Sequence, residues 1–270
     1  MKYAVCNELF DSMPLKKAFG IIKSSGFSGV EFSPFTIFKD FSSPDIARGI
    51  SAMRELLDGE GLSFAGLHWL MRKPEGLHLA TRDEACRIRS RDHLAKMLEV
   101  SGELGGGALV LGSPKQRGNL QGQSRRETTD LLARSLSELA DLASACKSVI
   151  LIEQLSPDQT DVVNTMEEAV ALVDSIGSPS IRSMFDFHNS TSEDLAWQEI
   201  VEKFYPYIGH VHINEIDGRA PGTGNSDFRP VFEILKSRKY EGWISMEIFE
   251  VPEDPESTLR NAMRVLKALD

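Results

Sequence analysis

Four side chains in the second half of the chain, Glu153, Asp186, His212 and Glu247, are of the types that bind divalent cations, and they are separated by 33, 26 and 35 residues. No two stand close enough to form a local metal motif, so a shared site requires the fold to gather them. Each closes an apolar, strand-like run: "VILIE", "IRSMFD", "IGHVH" and "GWISME". Three carboxylates in one confined mouth repel one another and raise one another's pKa unless a cation compensates them, and an imidazole adds a neutral ligand. Three oxygen ligands with one nitrogen suit Mn²⁺, Mg²⁺ or Co²⁺ better than a sulfur-rich zinc site, with Zn²⁺ as a further alternative. Four unrelated strand ends would explain each residue singly, but not their common position.

That position must be created by the surrounding elements. Short runs with strand character occur at 3–8, 29–33, 62–68, 107–112, 149–154, 181–187, 208–214 and 242–249. Between and after them lie helical patterns near 14–24, 45–59, 83–104, 125–146, 166–175, 194–204, 228–238 and 256–268, several opened by a capping residue or proline. Strict alternation argues for parallel strands with helical crossovers, and eight of each argue for one closed barrel over residues 1–270. A doubly wound sheet would show a glycine-rich ligand loop after an early strand, whereas the first connection reads "LFDSMPLKKAF". The glycines of "ELGGGALVLGS" precede and enter a strand, the wrong order for a phosphate loop, and read as packing positions. The expected fold is therefore α/β, a (β/α)8 TIM barrel.

In such a barrel the carboxyl ends of the strands converge on one face. In chain order those ends carry Asn7 and Glu8, Glu31, His68, Ser113 with Lys115, Glu153, Asp186, His212 and Glu247. Side chains alternate along a strand, so Leu151, Met184, His210 and Ser245, each two residues before a candidate ligand, should share its side. Lys115 and Arg117, in "LGSPKQRGN", are placed to hold a phosphate or carboxylate. Arg219, seven residues after His212 in the turn-rich "DGRAPGTG", could reach over the same mouth.

Composition limits the alternatives. Thirty basic against forty acidic residues give a net charge of −10, which disfavours nonspecific attraction to nucleic acid or anionic membrane. No apolar run approaches the roughly 20 residues needed to span a bilayer, and the amino terminus lacks a secretory core, so a cytoplasmic location is expected. Cys6, Cys86 and Cys146 are widely spaced and odd in number, as reduced buried thiols would be.

Most of the chain resembles the xylose-isomerase-like barrel family of sugar isomerases and epimerases, especially the ketose 3-epimerase, hydroxypyruvate isomerase and inosose-processing branches. The resemblance rests on "VEFSPF", "GLHWL", "LIEQLSPDQTDVVNT", "MFDFHNS", "HVHINEIDGRAPGTG" and "GWISMEIF". It implies that Glu153, Asp186, His212 and Glu247 hold a divalent ion, with Mn²⁺ the first expectation. It further implies that Glu153 and Glu247 exchange substrate protons through an enediolate. His188 and Arg219 would grip substrate oxygens, His68 would face the substrate or support the site, and Glu31 would shape the mouth as a further substrate-binding residue. The partner implied is a small sugar, phosphorylated or not, and a homo-oligomer is the family's usual assembly.

Two positions depart from the epimerase pattern. His188 follows Asp186 by two residues where that pattern has three, and Gln159 stands where a second glutamate is usual. Two other function classes are weighed: a noncatalytic metal- and sugar-binding barrel, and a metal-dependent endonuclease, for which six histidines and an acidic balance are a poor basis.

Overall fold

A computed structural model describes residues 1–10 and 13–270. Eight parallel strands, β1 (Lys2–Cys6), β2 (Gly29–Phe32), β3 (Ser63–Leu67), β4 (Ala108–Leu111), β5 (Val149–Ile152), β6 (Ile181–Asp186), β7 (Ile208–Ile213) and β8 (Trp243–Met246), pair in chain order. The sheet closes where β1 pairs with β8. Around it, among the described residues, run α1 (Leu15–Ser24), α2 (Ser43–Glu60), α3 (Glu84–Glu103), α4 (Arg125–Ser137), α5 (Ala140–Ala145), α6 (Met166–Ile176), α7 (Trp197–Phe204), α8 (Arg229–Ser237) and α9 (Pro255–Leu269). No described helix is long and apolar enough to cross a membrane. The expected (β/α)8 barrel is the observed fold.

Period-two alternation divides the apolar residues between two cores. One face of each strand packs against the helices in the large cluster that includes Val30, Leu109, Ile150, Ile152, Phe185, Val211 and Ile244. The other face turns into the barrel, where Val110, Leu151 and Met184 form a separate small cluster. Leu151 and Met184 are thus the apolar floor beneath Glu153 and Asp186, as alternation requires. The glycines before β4 act as packing positions. Gly106 has φ +86°, and a Cβ there would lie 2.2 Å from the Lys147 carbonyl oxygen.

Two local expectations change. The helical pattern over 125–146 is broken at Glu138 and Leu139, where the Leu139 N–H bonds to the Leu136 carbonyl at 3.0 Å, three residues back. That tightening brings both leucines to the buried side. Several strands also stop one or two residues short of the polar positions, so Glu8 lies in a 3₁₀ turn, and His68, Glu153 and Glu247 follow their strands directly. Freed from the ladder, these positions turn their side chains toward the mouth.

Close approach of β3 to β4 depends on a missing side chain. Gly66 is paired with Ala108, and a Cβ on Gly66 would lie 2.3 Å from the Ala108 carbonyl oxygen. Backbone cannot yield as a flexible side chain does. Gly66→Ala is expected to cost more than ~2 kcal/mol in chemical denaturation, because the clash must separate two core strands. Gly59→Ala in α2, where nothing lies within 4 Å, should be neutral or stabilising by up to ~1 kcal/mol. Equal effects at the two sites would refute this account.

Candidate metal centre and reaction chamber

Neighbouring strands bring the four candidate ligands together. Asp186 pairs laterally with His212, His212 is opposite Ser245, and Glu153 and Glu247 immediately follow β5 and β8. One ligand atom from each of the four residues lies within 4.8 Å of every other, and all four residues are buried. His212 Nδ1 stands 2.9 Å from Glu247 Oε2, 3.7 Å from Asp186 Oδ2 and 3.8 Å from Glu153 Oε1. Although the Glu247 contact is short, its direction is unsuited to a hydrogen bond, and Nδ1 is left buried without such a partner.

The opposite nitrogen explains why Nδ1 is available. Glu31 Oε1 is 3.1 Å from His212 Nε2, and Glu31 Oε2 is 2.7 Å from His210 Nε2. Nε2–H of His212 therefore donates to the Glu31 carboxylate, and Nδ1 faces the three acidic groups. Burial opposes charge on the ring, but without a cation Glu31 and Glu247 prevail and hold it protonated, well above its ordinary pKa. Loss of the Nδ1 proton gives a lone pair aimed at the same three oxygens. A buried nitrogen aimed at three crowded carboxylates fits a divalent cation. Gly112 leaves room for the arrangement, since a Cβ there would lie 2.3 Å from Glu153 Oε2.

The protonation pattern reflects the same crowding. Burial, then the charges of Glu247 and Asp186, push Glu153 up to about 8, although His212 and Arg117 oppose the rise. Burial and Glu247 raise Asp186 to about 6, against His212 and the Asn189 backbone N–H. Burial also works against ionised Glu247, yet the nearby charges of His212 and His68 hold this carboxyl below its ordinary value. For Glu31 the desolvation penalty is likewise overcome, here by His210 and His212. The two glutamates facing the mouth therefore have unlike proton affinities.

Above them is a small chamber of about 30 Å³, lined by His68, Trp69, Ser113, Gln159, Asn189 and Phe249 together with Glu153 and Glu247. Such a space holds about two waters. Trp69 and Ser113 both adopt left-handed backbone, with φ of 50° and 38°. Two non-glycine residues in that conformation at one mouth mark it as a place where local strain is tolerated by the surrounding fold.

The remaining candidates separate into those at the chamber and those elsewhere. His68 reaches it, but its Nε2 lies 2.8 Å from Glu8 Oε2 and 3.0 Å from Ser33 Oγ, while Nδ1 is 3.6 Å from Glu31. Its Nε2 is thus occupied by the support network, while Nδ1 faces Glu31 without a hydrogen bond. Burial opposes its charge, but Glu8, Glu31 and Glu247 prevail and bring His68 to about 9. Gln159 lines the chamber and donates to Asn189 Oδ1 at 2.8 Å. His188 is half-buried at the rim, where Nδ1 donates to the Ile216 carbonyl at 2.6 Å and the ring packs edge-on against Phe249. Arg219 is exposed and turned back onto Asp217, with Nε and Nη2 both 2.7 Å from Oδ2. Lys115 is exposed beside the chamber.

Two expectations require correction. Arg117 is fully buried and donates to the carbonyls of Leu111 at 3.1 Å and Glu153 at 2.6 Å. It braces the ends of β4 and β5 and has no open face for a substrate anion. Glu31 is also fully buried, with both oxygens engaged by histidines, so it supports His212 and does not face substrate.

Other residues were missed by sequence reasoning. Asn189, three residues after Asp186, donates its backbone N–H to Asp186 at 2.7 Å and its side-chain amide to Glu153 at 3.1 Å. Asn189 thus occupies the sequence spacing at which the epimerase pattern has histidine. Asn214 donates to Asp186 Oδ2 at 3.3 Å and accepts from the His188 N–H at 2.9 Å. Its position two residues after His212 was the available signal, because alternation places both on one side.

Comparison with known proteins gives a family, two relatives in sequence and one in three dimensions. The family described as "Xylose isomerase-like TIM barrel" matches residues 19–269. D-psicose 3-epimerase of Enterocloster bolteae is 31% identical over 116 residues, 43% of this chain and 38% of that protein. The 3-dehydro-D-guloside 4-epimerase of Escherichia coli is 24% identical over 192 residues, covering 68% of this chain and 72% of that protein. In three dimensions, the E. coli 3-keto-D-glucoside 4-epimerase superposes with a TM-score of 0.85 at 22% identity, covering 99% of each chain. This last likeness concerns the fold.

The crowded charges have a consequence for pH. Raised carboxyls and histidines retain protons in the fold that the unfolded chain has already released, so removing those protons favours unfolding. With Asp186 at about 6, Glu153 at about 8 and His68 at about 9, metal-free protein should lose stability as pH rises from ~5 to ~9. Added Mn²⁺ should restore it most strongly at the alkaline end, because binding needs the ionised ligands. Thermal denaturation with chelator and with Mn²⁺ checks this; a metal-free midpoint that rises across that interval would contradict it.

Proposed function

The chain belongs to the xylose isomerase-like TIM barrel family, and from that premise we propose that it is a divalent-metal-dependent epimerase or isomerase of small sugars. The observation that carries the reading is the meeting of Glu153 and Glu247 in one buried four-residue ligand cluster, with both glutamates lining the chamber above it. Such a pair suits removal of a proton next to a carbonyl and return of a proton from another direction.

A divalent ion held by Glu153, Asp186, His212 and Glu247 would supply Lewis-acid stabilisation of negative charge on the substrate oxygens as the proton leaves. We favour Mn²⁺, because three carboxylates and one imidazole form a largely hard donor set. The protein residues manage the proton. One of Glu153 and Glu247, as a carboxylate, is suited to accept it through an oxygen, and the other, carrying a proton, is suited to return one. A reversible reaction uses the pair in both orders. Return to the opposite face of the same carbon gives an epimer, whereas delivery to the adjacent carbon with proton transfer between oxygens gives an aldose–ketose isomer.

The neighbouring groups fix this geometry. Asn189 holds Glu153 and Asp186 in one arrangement, Gln159 holds Asn189, and Glu31 sets the ring of His212. Gln159 and Asn189 form a neutral amide pair where the epimerase pattern has charge, which favours recognition by hydrogen bonds over an ion pair. Relatives named as 3- and 4-epimerases support epimerisation over aldose–ketose isomerisation.

With Mn²⁺ bound, solvent deuterium should enter the substrate carbon next to the carbonyl when keto sugars are supplied as a panel. Glu153→Gln and Glu247→Gln should each remain folded and lose about 10²–10⁴-fold in exchange rate. Unchanged exchange in either variant would remove that glutamate from the proton path. Saturable binding without exchange across the panel would instead identify a noncatalytic sugar-binding barrel.

A further inference from the structure

Beside the reaction chamber lies a larger groove that the proton-transfer chemistry does not use. It has a volume of about 330 Å³ and is lined by His78, Lys115, Asn119, Leu120, Asp158 and Asp161, among others. This lies at the lower end of ligand-pocket sizes, roughly 300–1,000 Å³. Pro114 and Gln159 line both spaces, so the groove begins where the chamber ends.

The groove walls are held to the catalytic strand ends. Arg117 joins Leu111 to Glu153, the Asn119 N–H donates to Asp161 Oδ1 at 2.8 Å, and Asn164 donates to the carbonyls of Leu155 and Thr160 at 2.9 and 2.8 Å. A ligand unit in the groove would therefore keep a constant relation to Glu153. Thr160 Oγ1 and Asn119 Oδ1, from two lining residues, are buried without hydrogen-bond partners. Polar capacity of this kind is uncommon in a satisfied loop.

We propose that this groove is a second subsite for a neutral sugar or polyol unit, so that the preferred substrate is a keto sugar bearing a further ring. The proposal rests on the epimerase or isomerase reading and extends it to substrate size. Lys115 is outnumbered by Asp158 and Asp161, which makes the groove a poor place for phosphate. Amide, ammonium, imidazole and carboxylate groups match hydroxyls as donors and acceptors. Leu120, 40% exposed, offers an apolar surface to the C–H face of a ring.

The test uses the full chain with Mn²⁺ and solvent deuterium exchange on three probes. They are a methyl keto-glucoside, the same keto sugar with a glucosyl group in place of methyl, and its phosphorylated one-ring form. The two-ring probe should have a kcat/KM about tenfold above the methyl probe, and Leu120→Trp, which fills the exposed groove, should remove that advantage. Equal values in the unaltered protein, an advantage that survives Leu120→Trp, or preference for the phosphorylated probe would overturn the proposal. Absence of exchange with all three would count against the catalytic reading and shift the decision on the groove to binding. In that case NMR titration with unreactive trehalose decides: binding abolished by Leu120→Trp supports the subsite, and no binding, or binding that Leu120→Trp leaves intact, overturns it.

Discussion

Buried negative charge at the mouth of the barrel is the constraint around which the rest of the site is organised. Glu31, Glu153, Asp186 and Glu247 are all removed from solvent within reach of one histidine. Carboxylates in such a setting must lose their charge, take hydrogen bonds or share a cation. The protein uses different answers at different positions. Glu31 receives two imidazole N–H groups, Asp186 receives the Asn189 and Asn214 donors, and Glu153 retains the strongest tendency toward protonation.

The barrel makes this concentration tolerable because its layers divide the work. Val110, Leu151 and Met184 fill the interior below the acidic layer, while the outer faces of the strands build the main core with the helices. Electrostatic tension at the rim therefore sits on a packed base. Small residues maintain the spacing: Gly66 lets two strands approach, and Gly112 leaves room for the Glu153 carboxylate. These positions have no chemistry of their own, yet the chemistry requires their missing side chains.

Arg117 connects the charged layer with the adjoining groove. Its guanidinium has left solvent completely and spends its N–H groups on the carbonyl ends of two strands. Burial lowers its pKa to about 10, with the Glu153 charge acting in the opposite direction. The residue that looked like an anion grip is thus a brace, and the groove beside it is left with a mixed polar surface on which Asp158 and Asp161 outnumber Lys115. The groove wall and the support of the acidic cluster consequently share the β4 and β5 connections.

Much of this was written locally in the chain. Alternation of strand-like and helical runs led to the eight-stranded barrel, and polar strand endings led to Glu153, Asp186, His212 and Glu247, because one strand and one helix per unit return each ending to the same face. Period-two reasoning also placed Leu151 and Met184 beneath their ligands. Only the closed tertiary structure decided what crosses the barrel. Glu31 on β2 meets His210 and His212 on β7, Arg117 turns inward to the Glu153 carbonyl, and Asn189 rather than His188 contacts two acidic ligands. Local pattern determines which face a side chain occupies; closure of the sheet determines which distant partner it finds there.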